Sequence, residues 1–576
     1  MKKLLKYLSE YKRESILGPL FKLLEASFEL LVPLVMARVI DIGIKNHDLT
    51  YILSMGGILV LLGIIGLSCS ITAQYFAAKA AAGFGTSLRN DLFAHINSLS
   101  YQEIDTIGTA TLITRMTSDV NQVQSGVNLF LRLFLRSPFV VFGAMIMAFT
   151  IDVKAALIFA VSIPVLSVVV FGIMIFSMPL YKKVQKQLDR VLLTARENLG
   201  GVRVIRAFNR QNDEVRRFDE ENGMLVKFQV FVGKISALMN PLTYVIINLA
   251  IIVLINTGAN RVEMGIITQG QVVALVNYMS QILVELVKLA NLIITISKSL
   301  ACANRISSVF SMESGIKETS LNDVKEETNE PKVEFDHVSL FYQGAKAESL
   351  AGIGFQVMKG ETIGIIGGTG SGKTTLVNLI PRFYDVSQGS VKVGGTDVRN
   401  YPLSQLRKLV GIVPQRAVLF KGTIRENMQW GKREATDEEI YRALTIAQAK
   451  EFVDEKGEGL DFLIQAGGKN LSGGQRQRLT IARAIVKDPQ ILILDDSASA
   501  LDFATDARLR KAIKEETKNM TVFLVSQRAS TIRNADRIIV LDDGKMAGCG
   551  KHGDLMESCQ VYREICLSQL SEKEVQ

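Results

Sequence analysis

Cysteine, histidine and tryptophan are scarce in this chain, and basic residues outnumber acidic ones. Among 576 residues there are five cysteines, four histidines and one tryptophan, and the net charge is +9. The cysteines lack the spacing of metal ligands, and a disulfide framework is not expected from them. They are Cys69, Cys302, Cys549, Cys559 and Cys566. What the sequence has in quantity is hydrophobic residues, at 48%, concentrated in its first half.

Six apolar segments in residues 1–312 are long enough to cross a membrane, which takes about 20 residues. We predict spans at about 16–40, 52–78, 129–149, 155–176, 230–256 and 271–296. Lysine and arginine cluster at the N-terminus and in the two long links between spans, whereas the short links carry few. This bias predicts a multi-pass protein with both termini in the cytoplasm, and it argues against nucleic acid as a partner. The first dozen residues are predicted to form a basic amphipathic helix on the inner membrane face rather than a signal peptide.

The two long links, at about 79–128 and 177–229, keep the helical spacing of apolar residues, so the spans are predicted to continue into the cytosol as helices. Gly108 and the Gly200-Gly201 pair mark a break in each link. Residues 100–110 and 202–213 are therefore candidates for short helices that lie against a cytosolic partner. A plain helical hairpin tip at each break is the alternative.

Charged residues inside the first and sixth predicted spans need partners, because an isolated charge is costly in a membrane. Lys22, Glu25 and Glu29 share one face of the first span, and Glu285 and Lys288 are three residues apart in the sixth. These side chains either line a polar substrate path or neutralise one another beside a helix contact. The sequence leaves both interpretations open.

A polar linker at 313–332 leads to a second domain at 333–568, followed by a tail at 569–576. In this domain a predicted strand runs into the stretch GGTGSGKT, and a helix is predicted to begin at Thr375. Strand, glycine loop and helix are the context of a P-loop, whose backbone N–H groups, lysine and hydroxyl bind the phosphates and Mg²⁺ of ATP. The residues concerned are Gly367, Gly368, Thr369, Gly370, Ser371, Gly372, Lys373, Thr374 and Thr375.

A second glycine-rich stretch, about a hundred residues later, opens a basic amphipathic helix and also suits an anion such as a terminal phosphate. The apolar run at 491–494 then predicts a buried strand, which ends in Asp495 and Asp496. Asp495 stands where a carboxylate for the Mg²⁺ shell is expected. The glycine-rich stretch consists of Leu471, Ser472, Gly473, Gly474 and Gln475.

A P-loop followed by LSGGQ, an apolar strand and carboxylates resembles the ATP-binding cassette (ABC) proteins. With six spans ahead of it, the chain resembles an ABC exporter half-transporter over almost its whole length. The resemblance implies a membrane α-helical bundle of six transmembrane helices followed by an α/β P-loop ABC ATPase domain. It also implies that two nucleotide-binding domains pair head to tail, so that each ATP lies between the P-loop of one chain and the LSGGQ of the other.

The resemblance assigns roles to further residues. Tyr342 matches the aromatic residue that stacks on adenine, although a strand-end tyrosine can also pack locally. Gln415 matches the glutamine that contacts Mg²⁺ and senses the membrane domain, and residues 100–110 and 202–213 match the two coupling helices. A loop that crosses to the opposite nucleotide site matches Ser499, Ala500, Leu501 and Asp502.

Three positions depart from the family pattern. Asp496 replaces the glutamate that orients the attacking water, Gln527 replaces the histidine that meets the γ-phosphate, and Ala466 replaces a glutamate in the loop near the coupling helices. The aspartate is one methylene shorter, and well-placed base catalysis contributes about 10²–10⁴-fold. A glutamine donates a hydrogen bond but cannot carry the proton of an imidazole. The alternative is an Asp/Gln site that still turns over.

The resemblance and these departures together predict one subunit of a heterodimeric multidrug ABC exporter in a bacterial plasma (inner) membrane. Its own site would bind ATP and hydrolyse it poorly, while its LSGGQ completes a competent site with a partner half-transporter that keeps the glutamate and histidine. The expected substrates are amphipathic small molecules, and membrane lipid surrounds the chain. A homodimeric lipid flippase and a peptide exporter are alternatives. A homodimeric flippase is expected to have an intact Glu/His pair, which is missing from this chain. A peptide exporter would need an N-terminal peptidase domain, and the first span begins too early for one.

Overall fold

The computed structural model describes residues 2–316, 330–342, 344–345, 347–517 and 519–569. The chain divides into two compact units, one formed by residues 1–97 and 109–312 and the other by residues 98–108 and 313–576. Most of the predicted linker at 313–332 and nearly all of the predicted tail at 569–576 lie outside the described residues.

Residues 2–310 are almost entirely helical. Short 3₁₀ or π segments cover Lys2–Tyr11, Val39–Ile44 and Arg115–Asp119. The α-helices in chain order are α1 (Lys12–Arg38), α2 (Leu49–Ser98), α3 (Tyr101–Ile107), α4 (Thr109–Thr114), α5 (Val120–Leu133), α6 (Arg136–Ile151), α7 (Val153–Gly200), α8 (Val202–Ala207), α9 (Gln211–Ala237), α10 (Met239–Glu263) and α11 (Gln269–Phe310). All belong to the first unit except α3 and the last residue of α2, which fall in the second.

Among the described residues, five helical segments are long and apolar enough to cross a membrane. They are Leu49–Ser98, Thr109–Ile151, Val153–Gly200, Gln211–Glu263 and Gln269–Phe310. The first predicted span, at 16–40, lies in α1, which is not among the five because Lys22, Glu25 and Glu29 reduce its apolar character. The Lys22 ammonium lies 2.5 Å from the Glu25 carboxylate, so two of these charges form a pair.

Two predicted spans are interrupted by helix ends. The span predicted at 129–149 contains the turn between α5 and α6, and the span predicted at 230–256 contains the junction of α9 and α10. Pro138 and Pro241 each occupy the first turn of the helix after the break. A proline is tolerated there because its missing N–H has no partner within the helix.

The two long links do reverse near the predicted glycines. Gly108, with a φ of +81°, separates α3 from α4, and Gly201 separates α7 from α8. The segment predicted as one short helix at 202–213 is α8 followed by a turn, after which α9 begins. α8 and that turn are exposed, with Val204 at 60% and Phe208 at 74%.

An arginine that the sequence analysis did not single out joins the predicted intramembrane charges. Arg136 of α6 donates to Glu29 of α1 at 2.7 Å and to Glu285 of α11 at 2.5 Å. Lys288 adds a further ion pair with Glu285 at 2.8 Å. The charges therefore neutralise one another, and Glu29, Glu285 and Lys288 also border a cavity of about 380 Å³. The interpretation as mutual neutralisation describes this arrangement, and the polar substrate path stays a prediction.

The second unit contains twelve strands and ten further α-helices among its described residues. The strands are β1 (Val333–Leu340), β2 (Leu350–Val357), β3 (Thr362–Gly367), β4 (Gln388–Val393), β5 (Thr396–Asp397), β6 (Val410–Val413), β7 (Gly422–Thr423), β8 (Leu463–Ile464), β9 (Ile491–Asp495), β10 (Thr521–Val525), β11 (Arg537–Asp542) and β12 (Lys545–Gly550). The helices are α12 (Lys373–Asn378), α13 (Leu403–Leu409), α14 (Ile424–Gln429), α15 (Asp437–Ile446), α16 (Lys450–Asp454), α17 (Gly473–Val486), α18 (Phe503–Glu516), α19 (Ala529–Ile532), α20 (His552–Ser558) and α21 (Gln560–Gln569).

The main sheet of this unit has the order β12-β11-β3-β10-β9-β6. Strands β11, β3, β10, β9 and β6 run parallel, and β12 pairs antiparallel with β11. An antiparallel sheet of order β2-β1-β4-β5 and the short pair β7-β8 complete the unit. Ligands of open α/β sheets bind at the carboxyl ends of the parallel strands. The P-loop after β3, Gln527 after β10, Asp495 at the end of β9 and Gln415 after β6 are therefore brought to one edge.

The helix after the P-loop begins two residues earlier than predicted, at Lys373 instead of Thr375. The turn into it is completed at Gly372, which has a φ of +92°. A Cβ at this position would lie 2.8 Å from the carbonyl oxygen of Ser349, so the turn requires glycine. Lys373 and Thr374 consequently belong to the first turn of α12.

Candidate functional site

The P-loop lysine is folded back onto its own loop. The Lys373 ammonium donates to the carbonyl oxygens of Gly367 at 2.9 Å and of Gly368 at 2.6 Å. Its side chain is largely buried, and this burial lowers the pKa of Lys373. A cation held by two carbonyl dipoles, with no carboxylate of the described residues at ion-pair distance, is poised to exchange them for the oxygens of an anion.

The hydroxyl after this lysine meets the buried carboxylate at the end of β9. Thr374 Oγ1 lies 2.9 Å and 3.1 Å from the two oxygens of Asp495. Burial raises the pKa of Asp495, although the hydrogen bond from Thr374 acts in the opposite direction. A buried carboxylate that lacks an ion pair is stabilised by a bound cation. Hydroxyl, carboxylate and amide oxygens are the ligands Mg²⁺ prefers, so Thr374, Asp495 and the nearby Gln415 fit that ion.

Asp496 lies in the left-handed backbone region, with a φ of +45°. Its N–H donates to the carbonyl oxygen of Val525 in β10 at 2.9 Å, and its carboxylate accepts from the amide of Gln415 at 3.4 Å. Burial raises the pKa of Asp496, and Gln415 and Lys373 act to lower it. The backbone bond to β10 fixes the carboxylate at the end of the sheet.

The P-loop, both aspartates and Gln527 surround one cavity of about 590 Å³. Two of the three positions at which the sequence departs from the family pattern, Asp496 and Gln527, are thus in the same site. Tyr342 also lines it, donates to Thr375 at 3.1 Å, and stands edge-on to the ring of Tyr384 with the centroids 5.2 Å apart. The predicted residues that line this cavity are Tyr342, Thr369, Gly370, Ser371, Gly372, Lys373, Thr374, Thr375, Gln415, Asp495, Asp496 and Gln527.

The LSGGQ residues do not line this cavity. Ser472 caps α17: its hydroxyl accepts from the Gln475 N–H at 3.2 Å, and its own N–H donates to the Gln475 side chain at 3.0 Å. A Cβ on Gly473 would meet nothing within 4 Å, whereas one on Gly474 would lie 3.1 Å from the carbonyl oxygen of Ala500. The glycine end of α17 is therefore open to an approaching group on the side of Gly473.

The loop from Ser499 to Asp502 connects the carboxylates to α18. The Ser499 hydroxyl donates to the backbone oxygen of Asp496 at 2.8 Å, and Asp502 caps α18 by accepting from the Thr505 N–H at 2.8 Å. Ser499 and Ala500 are exposed, and Leu501 is buried. The exposed end of this loop therefore lies beside the glycines of LSGGQ.

Two aromatic residues that sequence reasoning did not single out hold α3 within the second unit. Tyr384 donates to Asp105 of α3 at 2.7 Å, and the rings of Phe383 and Tyr101 lie 4.5 Å apart. Since Tyr384 also touches Tyr342, a line of contacts runs from α3 to the cavity. The feature of the sequence that could have indicated this contact is the pair of adjacent aromatic residues, Phe383 and Tyr384, a few residues after α12. Ala466, the third departure, is exposed in a 3₁₀ turn.

Both parts of the chain match models of known families. Residues 15–286 match the ABC transporter transmembrane region, and residues 350–499 match the ABC transporter model. The fold is shared with the structure of a bacterial Atm1-family ABC exporter with ATP bound, at a TM-score of 0.80 and 24% identity, over 97% of this chain and 99% of that one. The predicted fold class, a helical membrane domain followed by an α/β ABC ATPase domain, is confirmed.

Several curated proteins are similar over most of their length. An uncharacterized ABC transporter ATP-binding protein of Bacillus subtilis, YfiB, is 34% identical over 99% of this chain and 98% of its own. A putative multidrug export ATP-binding/permease protein of the same species, YgaD, is 32% identical over 98% of both chains. An ATP-dependent lipid A-core flippase of Desulfotalea psychrophila is 35% identical over 81% of this chain and 82% of its own.

Proposed function

Because this chain belongs to the ABC transporter family, with the fold of an ABC exporter, we propose that it is one subunit of a heterodimeric exporter of amphipathic small molecules in the plasma membrane. In this proposal its own P-loop site binds ATP and hydrolyses it poorly. Its LSGGQ motif completes the working site, which uses the P-loop of the second subunit. The similarity to a putative multidrug export protein supports the choice of amphipathic substrates.

The observation that carries the proposal is the presence of Asp496 and Gln527 in one cavity with the P-loop. A general base must reach the attacking water, and a carboxylate one methylene shorter sits farther from it. The amide of Gln415 lies beside the Asp496 carboxylate, at 3.4 Å. Gln527 cannot supply the charge of an imidazolium. Asp496 and Gln527 would therefore both impair hydrolysis of the same ATP, the one bound at the P-loop of this chain.

The remaining residues of the cavity are suited to holding that ATP. Lys373 would leave the carbonyls of Gly367 and Gly368 for phosphate oxygens, and Tyr342 would stack on the adenine ring. Thr374, Gln415 and Asp495 would hold Mg²⁺, which neutralises charge on the β- and γ-phosphates when it is bound. Retained binding with impaired hydrolysis is the expected result.

The open side of LSGGQ supports a role on a second nucleotide. The N–H groups at the glycine end of α17 have no obstruction at Gly473, and a helix N-terminus favours an anion. Ser499 and Ala500 are exposed next to it. The exposed apolar residues Val204 and Phe208 at α8 similarly suit burial against another nucleotide-binding domain. In the proposed cycle, ATP binding closes the paired domains and turns the membrane cavity outward, and hydrolysis resets it.

The test is affinity purification of the tagged chain from its native cell, followed by ATPase assays. We expect recovery of a second half-transporter that has glutamate and histidine at the positions of Asp496 and Gln527. The purified single chain should bind ATP and show little turnover, and the pair should be active. Robust ATP hydrolysis by a homodimer of this chain would contradict the proposal.

A homodimeric lipid flippase is the second candidate, favoured by the similarity to a lipid A-core flippase. In that case Asp496 and Gln527 would have to support hydrolysis in both sites. The same ATPase assay separates the two candidates, because only the flippase requires turnover by the single chain.

A further inference from the structure

A basic cavity in the first unit has no role in the ATP site. It has a volume of about 640 Å³ and lies where α7 and α11 diverge, with the α9–α10 junction forming another wall. Lys182 and Lys298 line it, and among its described lining residues none is acidic. It thus has a positive charge and a partly apolar wall.

The two lysines of the basic cavity lack the carboxylate partner that four cations in or near the predicted spans have. Lys22, Arg136, Arg261 and Lys288 each pair with a carboxylate. Lys182 and Lys298 form no ion pair within the part of the chain that the structure describes. Lysines at the ends of spans are commonly solvated by water and lipid head groups. Here, however, two of them, from different helices, converge on one cavity.

A buried hydroxyl gives a second, independent indication of a ligand. Ser177 lines the basic cavity, is only 5% exposed, and its Oγ has no hydrogen-bond partner among the described residues. Buried polar atoms are normally paired, so an orphan at a cavity wall marks a place for a polar ligand atom. The wall itself is fixed by a hydrogen bond of 3.0 Å between Tyr181 of α7 and Ser236 of α9.

The cavity is apolar at the opposite end. Met174 of α7 and Ala290 of α11 belong to a small hydrophobic cluster and also line the cavity. Lys182 is eight residues beyond Met174, and Lys298 is eight residues beyond Ala290. At 1.5 Å per residue, each lysine lies about 12 Å along its helix from the apolar end.

We propose that the basic cavity binds amphipathic anions. The acidic head lies between Lys182 and Lys298, the apolar part lies against Met174 and Ala290, and the Ser177 hydroxyl donates to a polar atom between them. This inference rests on the proposed function in one respect, because it names these anions as the transported class. Anionic substrates are then preferred over cations of the same shape.

The test is equilibrium binding to the full-length chain in phosphatidylcholine nanodiscs, with empty nanodiscs as background. The probes are radiolabelled dodecyl phosphate and the matched cation dodecyltrimethylammonium. We expect Lys182→Gln with Lys298→Gln to weaken dodecyl phosphate binding by about tenfold or more, equivalent to at least about 1.4 kcal/mol. Lys183→Gln, which removes an exposed neighbouring lysine outside the cavity, is the control and should change binding less than twofold.

A charge-reversed chain shows that any loss is not a folding defect. Lys182→Glu with Lys298→Glu should bind dodecyltrimethylammonium more tightly than the wild-type chain does while keeping the wild-type melting temperature, which excludes misfolding as the cause. Equal weakening by Lys183→Gln would overturn the proposal in favour of general surface charge. So would binding of phosphatidylglycerol with the same lysine dependence but no binding of dodecyl phosphate, which would identify a structural lipid site.

The outcome is separable from that of the proposed function. Binding in nanodiscs requires neither a second subunit nor ATP hydrolysis. Lysine-dependent anion binding would stand even if the single chain proved to be an active homodimer. If no anion binds, the proposal that amphipathic anions are the transported class is overturned. The proposed exporter function would stand, provided that the purified pair still transports another amphiphile.

Discussion

The amide nitrogen of Gln415 lies 3.4 Å from the carboxylate of Asp496, across the ends of neighbouring strands β6 and β9. The residue assigned to sensing the membrane domain and the residue at the catalytic-base position therefore touch directly. A glutamate would extend one methylene farther into the cavity that also contains Gln527. This geometry makes the proposed defect reversible by substitution.

Asp496→Glu combined with Gln527→His should restore hydrolysis. Because base catalysis contributes about 10²–10⁴-fold, we expect ATPase activity of the single chain to rise at least about tenfold. Phosphate release by the purified chain measures this. Asp496→Asn with Gln527→His is the matched control and should stay inactive; equal activity of the two variants would show that the carboxylate is not the base.

The two P-loop lysines of the pair should be unequal. Lys373→Ala removes the ammonium from the site that we propose mostly retains its ATP, so turnover of the pair should fall by less than about tenfold. The equivalent substitution in the second subunit should abolish turnover. Steady-state ATPase assays of both variant pairs decide this, and equal losses would indicate two working sites.

Gly473→Ala should distinguish an effect on folding from an effect on the contact between LSGGQ and a nucleotide of the other subunit. A Cβ at this position meets no described atom within 4 Å, and alanine is a better helix former than glycine, so the melting temperature should not fall. The methyl group would, however, stand where a phosphate approaches the α17 N–H groups. We expect ATPase activity of the pair to drop at least about tenfold, the cost of a lost oxyanion-type contact. Retained activity would argue that LSGGQ does not face a nucleotide.

Arg136→Met should destabilise the first, helical unit of the chain. The substitution removes the α6 cation from Glu285, which is 3% exposed and keeps its ion pair with Lys288, so we expect a loss of about 1.5–3 kcal/mol, as for a hydrogen bond between charged groups. Thermal unfolding of the full chain in detergent measures the loss. Adding Glu285→Met should recover much of it, because replacing both partners by apolar groups is often neutral. Without such recovery, the pair would not be the source of the loss.

Asp105→Asn tests the contact between α3 and Tyr384. It weakens a charge-assisted hydrogen bond of 2.7 Å, which is worth about 1.5–3 kcal/mol. We expect substrate stimulation of the pair's ATPase to decrease while basal turnover changes less than twofold. The control is Asp48→Asn, since the Asp48 carboxylate accepts the local Tyr51 N–H and has no other partner in the described part of the chain. Equal effects of both variants would contradict a coupling role for α3.

The sequence by itself determined the class of molecule and the chemistry of its ATP site. Apolar runs, positive charge in the long links, a P-loop after a strand and LSGGQ before a helix are local patterns, and each acts over one or two elements. Because ligands of open α/β sheets bind at the carboxyl ends of parallel strands, residues that close or follow such strands, among them Lys373, Asp495 and Gln415, are expected at one edge. The replacements at Asp496 and Gln527 can be recognised from the sequence alone. Only the parallel pairing of β9 and β10, however, places the two residues in one cavity.

Tertiary structure decided the features that depend on distant parts of the chain. Arg136 is separated from Glu285 by 149 positions, and no periodicity predicts that pair. The same holds for Tyr384 with Asp105, and for the convergence of Lys182 and Lys298 on one cavity. Helix bounds near Pro138 and Gly372 also depended on how turns fit their neighbours. A sequence pattern predicts the properties of one helix or strand, including that a buried charge requires a partner. Which residue is that partner depends on the packing of helices that are remote in sequence.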